Sequence, residues 1–472
     1  MPKKQNKHSN KRDNEETKKV NEENKKTNDT EKTAPRIIEL NTVTKVEGHA
    51  KLLLNIDENN QIKKCELQSV EGSRYFEGML VERLYYEASE ISSRICGICS
   101  CAHTAASIKA IENALGLKVT EQTKILRELF TVGERIRSHI THMYFLSLPD
   151  YLGVESGMDL AKDHRDEVMR ALRLMKLGND IVSVFAGRDL HPVSATIGGF
   201  LHLPKQEEIN SILERLKEAM PDAIAAAKLF ASLNYRKYEM NTEYCTLIDD
   251  GKYPIMEGDL YSSNGDRFPE EKFTEFFTEY HEARSTANFV VKDGKSYLVG
   301  ALARLNNNYQ HLMPEAKKIL KESMKSNPQL TFPNNNPFIM PYAQAIETVH
   351  FIESAINLLT NFTIKDEKPI EPVVKAGKGT GIIEVPRGLL IHQYELDKKG
   401  MITHANIVTP TAQNLRFMED NVRKVLPALL NLDNESIVLE MEKLIRAFDP
   451  CFSCSTHFLE VTFEGSREKI KK

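Results

Sequence analysis

The chain has 472 residues, of which 41% are hydrophobic and 28% charged, and these proportions are ordinary for a protein with a sizeable hydrophobic core. The formal net charge of −4 gives no electrostatic reason to expect nucleic-acid binding. No apolar run approaches the roughly 18–20 residues of a membrane helix, so no membrane span is expected.

Residues 1–34 differ from the rest of the chain because they are dense in charged and polar residues. Such a segment cannot bury enough apolar surface to offset the entropy lost on ordering, and it is predicted to be a disordered tail. A nucleic-acid or partner-binding arm is the alternative, but its positive charge is dilute. The segment also lacks the features of a secretory or transit signal, so we expect a cytoplasmic protein.

Three strands are predicted next, at residues 37–40, at 51–56 and around 65–67. Glu47 lies between the first two strands in an otherwise apolar context. A lone glutamate at such a place is usually a solvated loop residue. It becomes a candidate functional residue if a neighbouring site needs a proton carrier.

Helical periodicity dominates the middle of the chain. Helices are predicted from the pattern at 104–116, from 121 until Pro149, at 168–186, 207–233, 314–324, 342–363 and 412–430, with short strands and loops over 240–305. No repeat or linker separates these segments. The predicted fold is therefore α+β and mainly α, a central bundle of long helices with N-terminal and C-terminal β pieces, in a single domain over residues 35–457.

A β-hairpin is predicted between the last helices, with its turn at Asp397–Gly400. Its two ends, Pro386-Arg387-Gly388 and Thr409-Pro410-Thr411, should therefore converge. Arg387 is permanently charged and needs a partner if it is buried. It is either a structural ion pair or a fixed positive donor above an anionic site.

The cysteines give the strongest signal in the sequence. Two Cys-x-x-Cys pairs, Cys96/Cys99 and Cys451/Cys454, lie 352 residues apart, counted from Cys99 to Cys451. Seven cysteines without a secretory signal favour metal binding over disulfides. Four thiolates most often hold structural zinc, but zinc ligand pairs usually lie within tens of residues, and a structural zinc leaves the Arg387 hairpin without a role.

Several side chains near the cysteines could tune such a site, namely Arg94, His103, Asp449 and His457. His103 follows Cys99 by four residues, so both lie on one face of the predicted helix. His103 could donate a hydrogen bond to the thiolate, or it could simply fill an apolar face.

Taken together, these motifs resemble the large subunit of nickel–iron hydrogenases. The residues that carry the resemblance are Arg94-x-Cys96-Gly97-x-Cys99-x-x-x-His103, Asp449-Pro450-Cys451-x-x-Cys454-x-x-His457, Glu47-Gly48-His49, Arg74-x-x-Glu77, His191-Pro192, Gly198-Gly199, Glu384-x-Pro386-Arg387-Gly388 and Thr411-x-x-Asn414. Arg137-Ser138-His139 and Ser453-Cys454-Ser455 look most like the cytoplasmic, cofactor-coupled group that includes the archaeal sulfhydrogenase alpha subunit.

The resemblance implies heterolytic cleavage of dihydrogen at a nickel–iron centre whose iron carries carbon monoxide and cyanide. It implies nickel on Cys96, Cys99, Cys451 and Cys454, iron on Cys99 and Cys454, and magnesium on Glu77 and His457. It further implies that Cys451 takes the proton and Glu47 carries it onward. The expected neighbours of the metals are Arg387 and Thr411 as cyanide donors, with His103, Pro386 and Pro410 around them.

Cys65, Cys101 and Cys245 are too few for an iron–sulfur cluster and are expected to be buried as small hydrophobic residues. The resemblance therefore implies a small subunit that carries the clusters, and further subunits that reduce a cofactor. Residues 458–472 are expected to be removed by a protease that cuts after His457, although an edge strand is the alternative. The competing function is that of a non-catalytic subunit with a four-cysteine zinc site.

Overall fold

Long helices and short strands are mixed along the chain. The computed structural model describes residues 36–456, so the predictions for residues 1–34, for His457 and for residues 458–472 lie outside the described residues. The α-helices are α1 Phe76–Leu80, α2 Ala88–Ser93, α3 Ser100–Leu115, α4 Glu121–Ile140, α5 Leu148–Leu152, α6 Leu160–Asp163, α7 Arg165–Ala186, α8 Gln206–Ser232, α9 Phe273–Phe276, α10 Ala301–Asn308, α11 Pro314–Ser326, α12 Met340–Leu359, α13 Pro410–Val425 and α14 Asn434–Ala447.

The strands pair in small antiparallel sheets. They are β1 Arg36–Leu40, β2 Ala50–Ile56, β3 Ile62–Ser69, β4 Ala195–Thr196, β5 Gly199–Phe200, β6 Cys245–Ile248, β7 Asp259–Ser262, β8 Arg267–Phe268, β9 Phe277–Tyr280, β10 Phe289–Lys292, β11 Gly377–Val385, β12 Gly388–Leu396 and β13 Ile402–Val408. Strands β1–β2–β3, β6–β7–β8 and β11–β12–β13 form three-stranded sheets, while β4–β5 and β9–β10 form pairs.

The predicted fold class is confirmed. Helix α4 packs along α7, and α12 packs against α8 and α4, so the long helices form the central bundle. The N-terminal sheet β1–β2–β3 packs against α13, and the C-terminal sheet β11–β12–β13 packs against α3. The sequence also placed the main helices correctly, and the local chemistry explains their ends. Thr120 caps α4 by accepting a hydrogen bond from the Thr123 amide, and Gly116 ends α3 in a left-handed conformation.

Three details differ from the prediction. Pro149 does not end the helical run, because a π-helix at Thr141–Ser147 continues from α4 and Pro149 lies in the first turn of α5, where proline is tolerated. Helix α10 lies in a region predicted as strands and loops. Helix α14 was not predicted, and it is the element that leads into the second cysteine pair.

Glycines at alternate positions of β11, Gly377, Gly379 and Gly381, allow this strand to pack closely against α3. Strand β11 lies so close to α3 that a Cβ on Gly379 would be 2.1 Å from the Ala110 carbonyl oxygen, and a Cβ on Gly381 would be 2.6 Å from that of Ala106. Only glycine permits this contact. Because α3 begins after Cys99 and β11 leads to Arg387, the packing brings these two residues towards each other.

One large hydrophobic cluster joins the helices and the N-terminal sheet, and a smaller one lies around β6, β10 and the β11–β12 hairpin. Within residues 36–456, no helix is long and apolar enough to cross a bilayer.

Candidate metal centre

The two cysteine pairs meet in the folded chain. The Sγ atoms of Cys96, Cys99, Cys451 and Cys454 all lie within 4.8 Å of one another, and all four residues are buried. The Cys99 sulfur is 3.4 Å from that of Cys96 and 3.5 Å from that of Cys454, while Cys96 and Cys451 are 3.6 Å apart. The structure therefore brings together the four cysteines that the sequence singled out as candidate metal ligands.

The first pair is part of a helix terminus. Cys99 occupies the N-cap position of α3, and the buried carboxylate of Glu134 on α4 accepts hydrogen bonds from the next amides, Cys101 N at 2.7 Å and Ala102 N at 3.2 Å. The guanidinium of Arg137 donates to the Ile98 carbonyl at 3.0 Å. The backbone around Cys99 is thus fixed by α4.

The second pair follows α14 and is held by side chains from other parts of the chain. Asp449 adopts a left-handed conformation with φ of 50°, which turns the chain towards Cys451. The amide of Cys451 donates to the Thr411 hydroxyl at 2.8 Å. Arg74 holds the next residues, because its guanidinium donates to the Ser453 carbonyl and its amide donates to the Thr456 carbonyl at 2.9 Å.

Glu47 contacts the second cysteine pair directly. The thiol of Cys451 lies 3.0 Å from Glu47 Oε2, and the Ser453 amide donates to the same oxygen at 3.2 Å. The Ser453 hydroxyl donates to the other carboxylate oxygen. The backbone of Glu47 also accepts a hydrogen bond from Phe452 N at 3.0 Å. A partly exposed carboxylate in contact with a buried thiol can move a proton between that thiol and the surface.

Arg387 combines the two roles that the sequence left open. Its Nε donates to the Asp449 carbonyl at 2.6 Å and its Nη2 to Asp449 Oδ1 at 3.0 Å, which makes a buried ion pair. Its Nη1 points to the Cys99 sulfur at 3.7 Å. The charges of Asp449 and of the cysteines raise the pKa of Arg387 well above its usual value, although burial alone would lower it.

A small cavity lies beside the sulfurs, between Cys99, Cys451 and Cys454 and the β11–β12 turn. Its volume of about 10 Å³ suits only very small molecules. Its other lining residues are His103, Val385, Arg387, Leu390, Thr409, Pro410 and Thr411. The cavity thus has a mostly apolar wall, and its polar lining residues other than the cysteines are His103, Arg387, Thr409 and Thr411.

The remaining predicted neighbours have different surroundings. His103 lines the cavity, and its Nδ1 lies 3.1 Å from Nε2 of His392. Pro410 lines the cavity too, whereas the Pro386 carbonyl accepts a hydrogen bond from Arg304 at 3.0 Å. The sequence suggested that Arg94 could tune the metal site, but its side chain is exposed, and its Nη2 lies 3.9 Å from Glu90 Oε1 instead.

The predicted magnesium ligands are separated by the limit of the described residues. Glu77 lies on α1, and its Oε1 accepts a hydrogen bond from Ile407 N at 2.7 Å. Its predicted partner, His457, lies outside the described residues. The other three cysteines, Cys65, Cys101 and Cys245, are buried, and within residues 36–456 no second group of potential ligands is found.

The thiols differ strongly in acidity. Burial raises the pKa of Cys451 and of Cys454 well above the ordinary value, whereas hydrogen bonds with the other thiols, first of all Cys451, lower the pKa of Cys96. Binding of a metal ion to all four as thiolates therefore releases protons, and the affinity for the metal should decrease as the pH is lowered.

The donor set fits a soft transition metal. Four converging sulfurs suit nickel, iron or zinc, and a buried cation beside them compensates for excess thiolate charge. A closed four-cysteine zinc site needs neither the adjacent cavity nor a carboxylate on one thiol. The residues present therefore fit a nickel–iron centre with small ligands in the cavity.

Sequence reasoning missed several of these contacts. The Thr411 bond to Cys451, the Ser453 bond to Glu47 and the Glu134 cap all join residues far apart in sequence, and no local pattern announces them. Asp449 was noted only as a possible tuning group, although an acidic residue beside the cysteine motif was a signal for the partner that Arg387 required.

Comparison with known proteins gives consistent matches. A family model described as nickel-dependent hydrogenase matches residues 74–170 and 266–457, and one described as HoxL-like matches residues 37–71. The alpha subunit of sulfhydrogenase 1 from Pyrococcus furiosus is 34% identical, over 90% of this chain and 98% of that protein. The beta subunit of the NAD-reducing hydrogenase HoxS from Cupriavidus necator is 28% identical, over 90% and 95%. A solved structure of an NAD+-reducing NiFe hydrogenase in the H2-reduced state has a TM-score of 0.79 at 26% identity, covering 90% of this chain and 100% of that one.

Proposed function

The chain belongs to the nickel-dependent hydrogenase family, and from this premise we propose that it is the catalytic large subunit of an enzyme that reversibly cleaves dihydrogen and passes electrons to an iron–sulfur partner subunit. The observation that supports this most is the buried group of Cys96, Cys99, Cys451 and Cys454, with Glu47 on one thiol and Arg387 beside another.

The four cysteines would hold nickel, and Cys99 and Cys454 would also hold an iron with carbon monoxide and cyanide ligands. When bound, this centre supplies Lewis-acid polarisation of dihydrogen. The chain keeps water away from it, since all four sulfurs are buried and most of the cavity wall is apolar.

The proton is handled by the chain. Cys451 is the base nearest to Glu47, at 3.0 Å, so it accepts the proton of the cleavage and passes it to the carboxylate. Ser453 holds Glu47 in this position through its amide and hydroxyl groups. Because Glu47 is partly exposed, the proton continues to the protein surface from there.

Arg387 and Thr411 would bind the cyanide ligands. A cyanide nitrogen in a buried cavity needs hydrogen-bond donors. The Arg387 guanidinium lines the cavity, and Thr411 accepts from Cys451 N with its oxygen, which leaves the hydroxyl hydrogen for donation. His103 and Pro410 line the same cavity, and Pro386 directly precedes Arg387 in the β11–β12 turn.

Magnesium would bind to Glu77 and His457, with water completing an octahedral site near the end of the mature chain. Residues 35–457 would form the single functional domain. Residues 458–472 would be removed after nickel insertion.

The assignment of a partner subunit follows from the electrons that cleavage of dihydrogen releases. Cleavage of dihydrogen releases two of them, and three buried, scattered cysteines cannot hold a cluster of the usual four-cysteine type. A small subunit with iron–sulfur clusters would take the electrons, and further cytoplasmic subunits would pass them to a cofactor.

Metal analysis of the purified complex tests this function. We expect nickel and iron near one atom of each per chain, infrared bands from iron-bound carbonyl and cyanide, and dihydrogen-dependent dye reduction. Zinc in place of nickel, without such bands or activity, would establish the competing structural role. Intact mass of the active enzyme tests the removal of residues 458–472.

A further inference from the structure

Arg304, on α10, is a buried arginine whose donors are all used. Its side chain makes five hydrogen bonds: Nε to Glu347 Oε1 at 2.6 Å, Nη2 to Glu347 Oε2 at 2.8 Å, Nη1 to Glu384 Oε2 at 3.0 Å, Nη1 to the Val385 carbonyl at 2.7 Å and Nη2 to the Pro386 carbonyl at 3.0 Å. A guanidinium has five N–H groups, so none is left without an acceptor.

Stability alone does not explain this cluster. The side chains of Arg304, Glu347 and Glu384 are at most 1% exposed, and desolvating three charges costs about as much free energy as their attraction returns. A packed apolar cluster of the same volume would generally be as stable. The specific arrangement of donors therefore calls for a reason other than folding energy.

The two carboxylates are themselves fixed from several elements. Glu347, on α12, accepts hydrogen bonds from His139 Nε2 at 2.9 Å and from the Tyr253 hydroxyl at 2.6 Å. Glu384, on β11, accepts one from Leu247 N at 2.9 Å. The guanidinium of Arg304 is consequently held in one orientation by groups on α4, α12, β6 and β11.

The Arg304 guanidinium binds the carbonyls of Val385 and Pro386, the two residues immediately before Arg387. The same helix also approaches Arg387 from its N-terminal end, since a Cβ on Gly300, the residue before α10, would lie 2.8 Å from the Arg387 carbonyl oxygen. Helix α10 thus fixes the backbone of the β11–β12 turn on both sides of the residue whose guanidinium points at Cys99 and the cavity.

We propose that Arg304 is a positioning residue for the metal centre, because it sets the Val385–Pro386 backbone and thereby the direction of Arg387. This inference rests on the proposed function. The Arg387 guanidinium makes directional contacts with Asp449 and Cys99, and a small shift at its Cα becomes a larger one at the end of a long side chain. Glu347 and Glu384 act through Arg304, so this buried cluster of three charged residues has a role beyond charge balance.

The test uses Arg304→Lys in the purified complex. An ammonium keeps the charge but has three donors and no planar fork, so it cannot serve both carboxylates and both carbonyls. We expect nickel and iron content to be unchanged, the cyanide infrared bands to shift, and turnover to fall roughly ten- to hundredfold.

Arg127→Lys is the matched control. Arg127 is also buried, pairs bidentately with Glu112 at 2.7 Å for each bond, and donates to the Thr196 carbonyl at 3.0 Å. Glu112 lies thirteen residues after Cys99, about 20 Å along α3. This variant should lower the unfolding temperature while leaving the cyanide bands and turnover unchanged.

The outcomes separate the two proposals. Bands and turnover that stay at wild-type values in Arg304→Lys overturn the positioning role, whereas absence of nickel and bands in the wild type overturns the proposed function itself. If Arg304→Lys does not fold, Glu347→Gln is the second variant, since it keeps the side-chain volume and removes one of the negative charges paired with Arg304. It should shift the same cyanide bands. Unshifted bands in Glu347→Gln also overturn the positioning role of Arg304.

Discussion

The two cysteine pairs contribute equally to the sulfur cluster but are supported in different ways. Cys96 and Cys99 directly precede α3. The Glu134 carboxylate accepts hydrogen bonds from the first amides of that helix, Cys101 N at 2.7 Å and Ala102 N at 3.2 Å. Cys451 and Cys454 lie beyond α14 and are held by side chains from loops and element ends remote in sequence, namely Glu47, Arg74, Arg387 and Thr411.

This difference separates folding from assembly of the site. The support of the first pair belongs to the helix bundle, so weakening it should weaken the whole fold. The support of the second pair consists of individual side-chain bonds around a left-handed Asp449, so weakening it should disturb the metal site while the bundle stays intact. The following variants test that distinction, from the largest expected effect to the smallest.

Replacing one cysteine of each pair should have the largest effect. We expect Cys99→Ser and Cys451→Ser both to abolish dihydrogen oxidation, because each removes a soft ligand. Cys99→Ser should also lose iron, since we assign it a bridging position, whereas Cys451→Ser should lose mainly nickel. Activity with an artificial dye and metal content measure this. Cys245→Ser, at a buried cysteine outside the cluster, is the control and should stay active; full activity of Cys451→Ser would contradict the assignment.

Glu47→Gln should leave the metals bound and slow proton movement. The amide can still accept hydrogen bonds from Ser453, but it cannot take a proton from Cys451 at neutral pH. Exchange between dihydrogen and deuterium from the solvent should fall by about a hundredfold or more at unchanged nickel content. Glu71→Gln is the control, because Glu71 pairs with His49 outside the cluster. Fast exchange in Glu47→Gln would mean that the proton leaves by another route.

Arg387→Lys should be damaging although it keeps the positive charge. The guanidinium bonds both the carbonyl and the carboxylate of Asp449 and also reaches Cys99, and an ammonium cannot make these directional contacts together. We expect turnover to fall roughly ten- to hundredfold, with shifted cyanide infrared bands. If activity and bands match the wild type, Arg387 serves as a structural ion pair only.

The parts of the site that consist of short sequence motifs could be predicted from the sequence. The cysteine pairs, Glu47 and the hairpin with its turn at Asp397–Gly400 were all recognisable, because metal ligands and hairpin turns depend on residue types at fixed spacing. Strand β11, which makes Pro386-Arg387 a second turn, was not predicted. The antiparallel pairing of β12 with β13 then had to bring Arg387 and Thr411 to the same side, as the register of Ile391 with Val408 confirms.

The contacts that orient these residues could not be predicted. Glu347 and Glu134 lie in segments whose periodicity indicates only amphipathic helices, and Arg304 lies in a region that the sequence predicted as strands and loops. Their hydrogen-bond partners are tens to hundreds of residues away. Pro149 gave the wrong helix end because a proline at the start of a helix and one that ends it look alike in sequence. Such features depend on three-dimensional packing that one sequence does not encode locally.

Thr411→Val should loosen the second pair without unfolding the bundle. Valine keeps the shape of threonine but leaves the buried Cys451 amide without its acceptor, at a cost of about 1–3 kcal/mol. Because we expect the segment around Cys451 to open locally before the bundle unfolds, this cost should appear as loss of nickel to a chelator several times faster than from the wild type, at a nearly unchanged unfolding midpoint. Thr411→Ser restores the hydroxyl and should behave like the wild type. A lowered midpoint with normal nickel release would contradict the distinction.

Glu134→Gln should have the smallest effect of these variants. It should lower the stability of the fold and leave nickel release unchanged, which is the reverse of the pattern expected for Thr411→Val. The amide oxygen can still accept a hydrogen bond from Cys101 or Ala102, but the negative charge at the N-terminus of α3 is lost. That charge contributes about 0.3–1 kcal/mol at an exposed helix end and up to about 2 kcal/mol at a partly buried one. Because α3 and α4 belong to the bundle, we expect denaturant unfolding to move to a lower midpoint while nickel release in the folded protein stays at the wild-type rate. If Glu134→Gln and Thr411→Val instead release nickel equally fast with the same midpoint, both cysteine pairs depend on the same cooperative unit, and the contrast between them disappears.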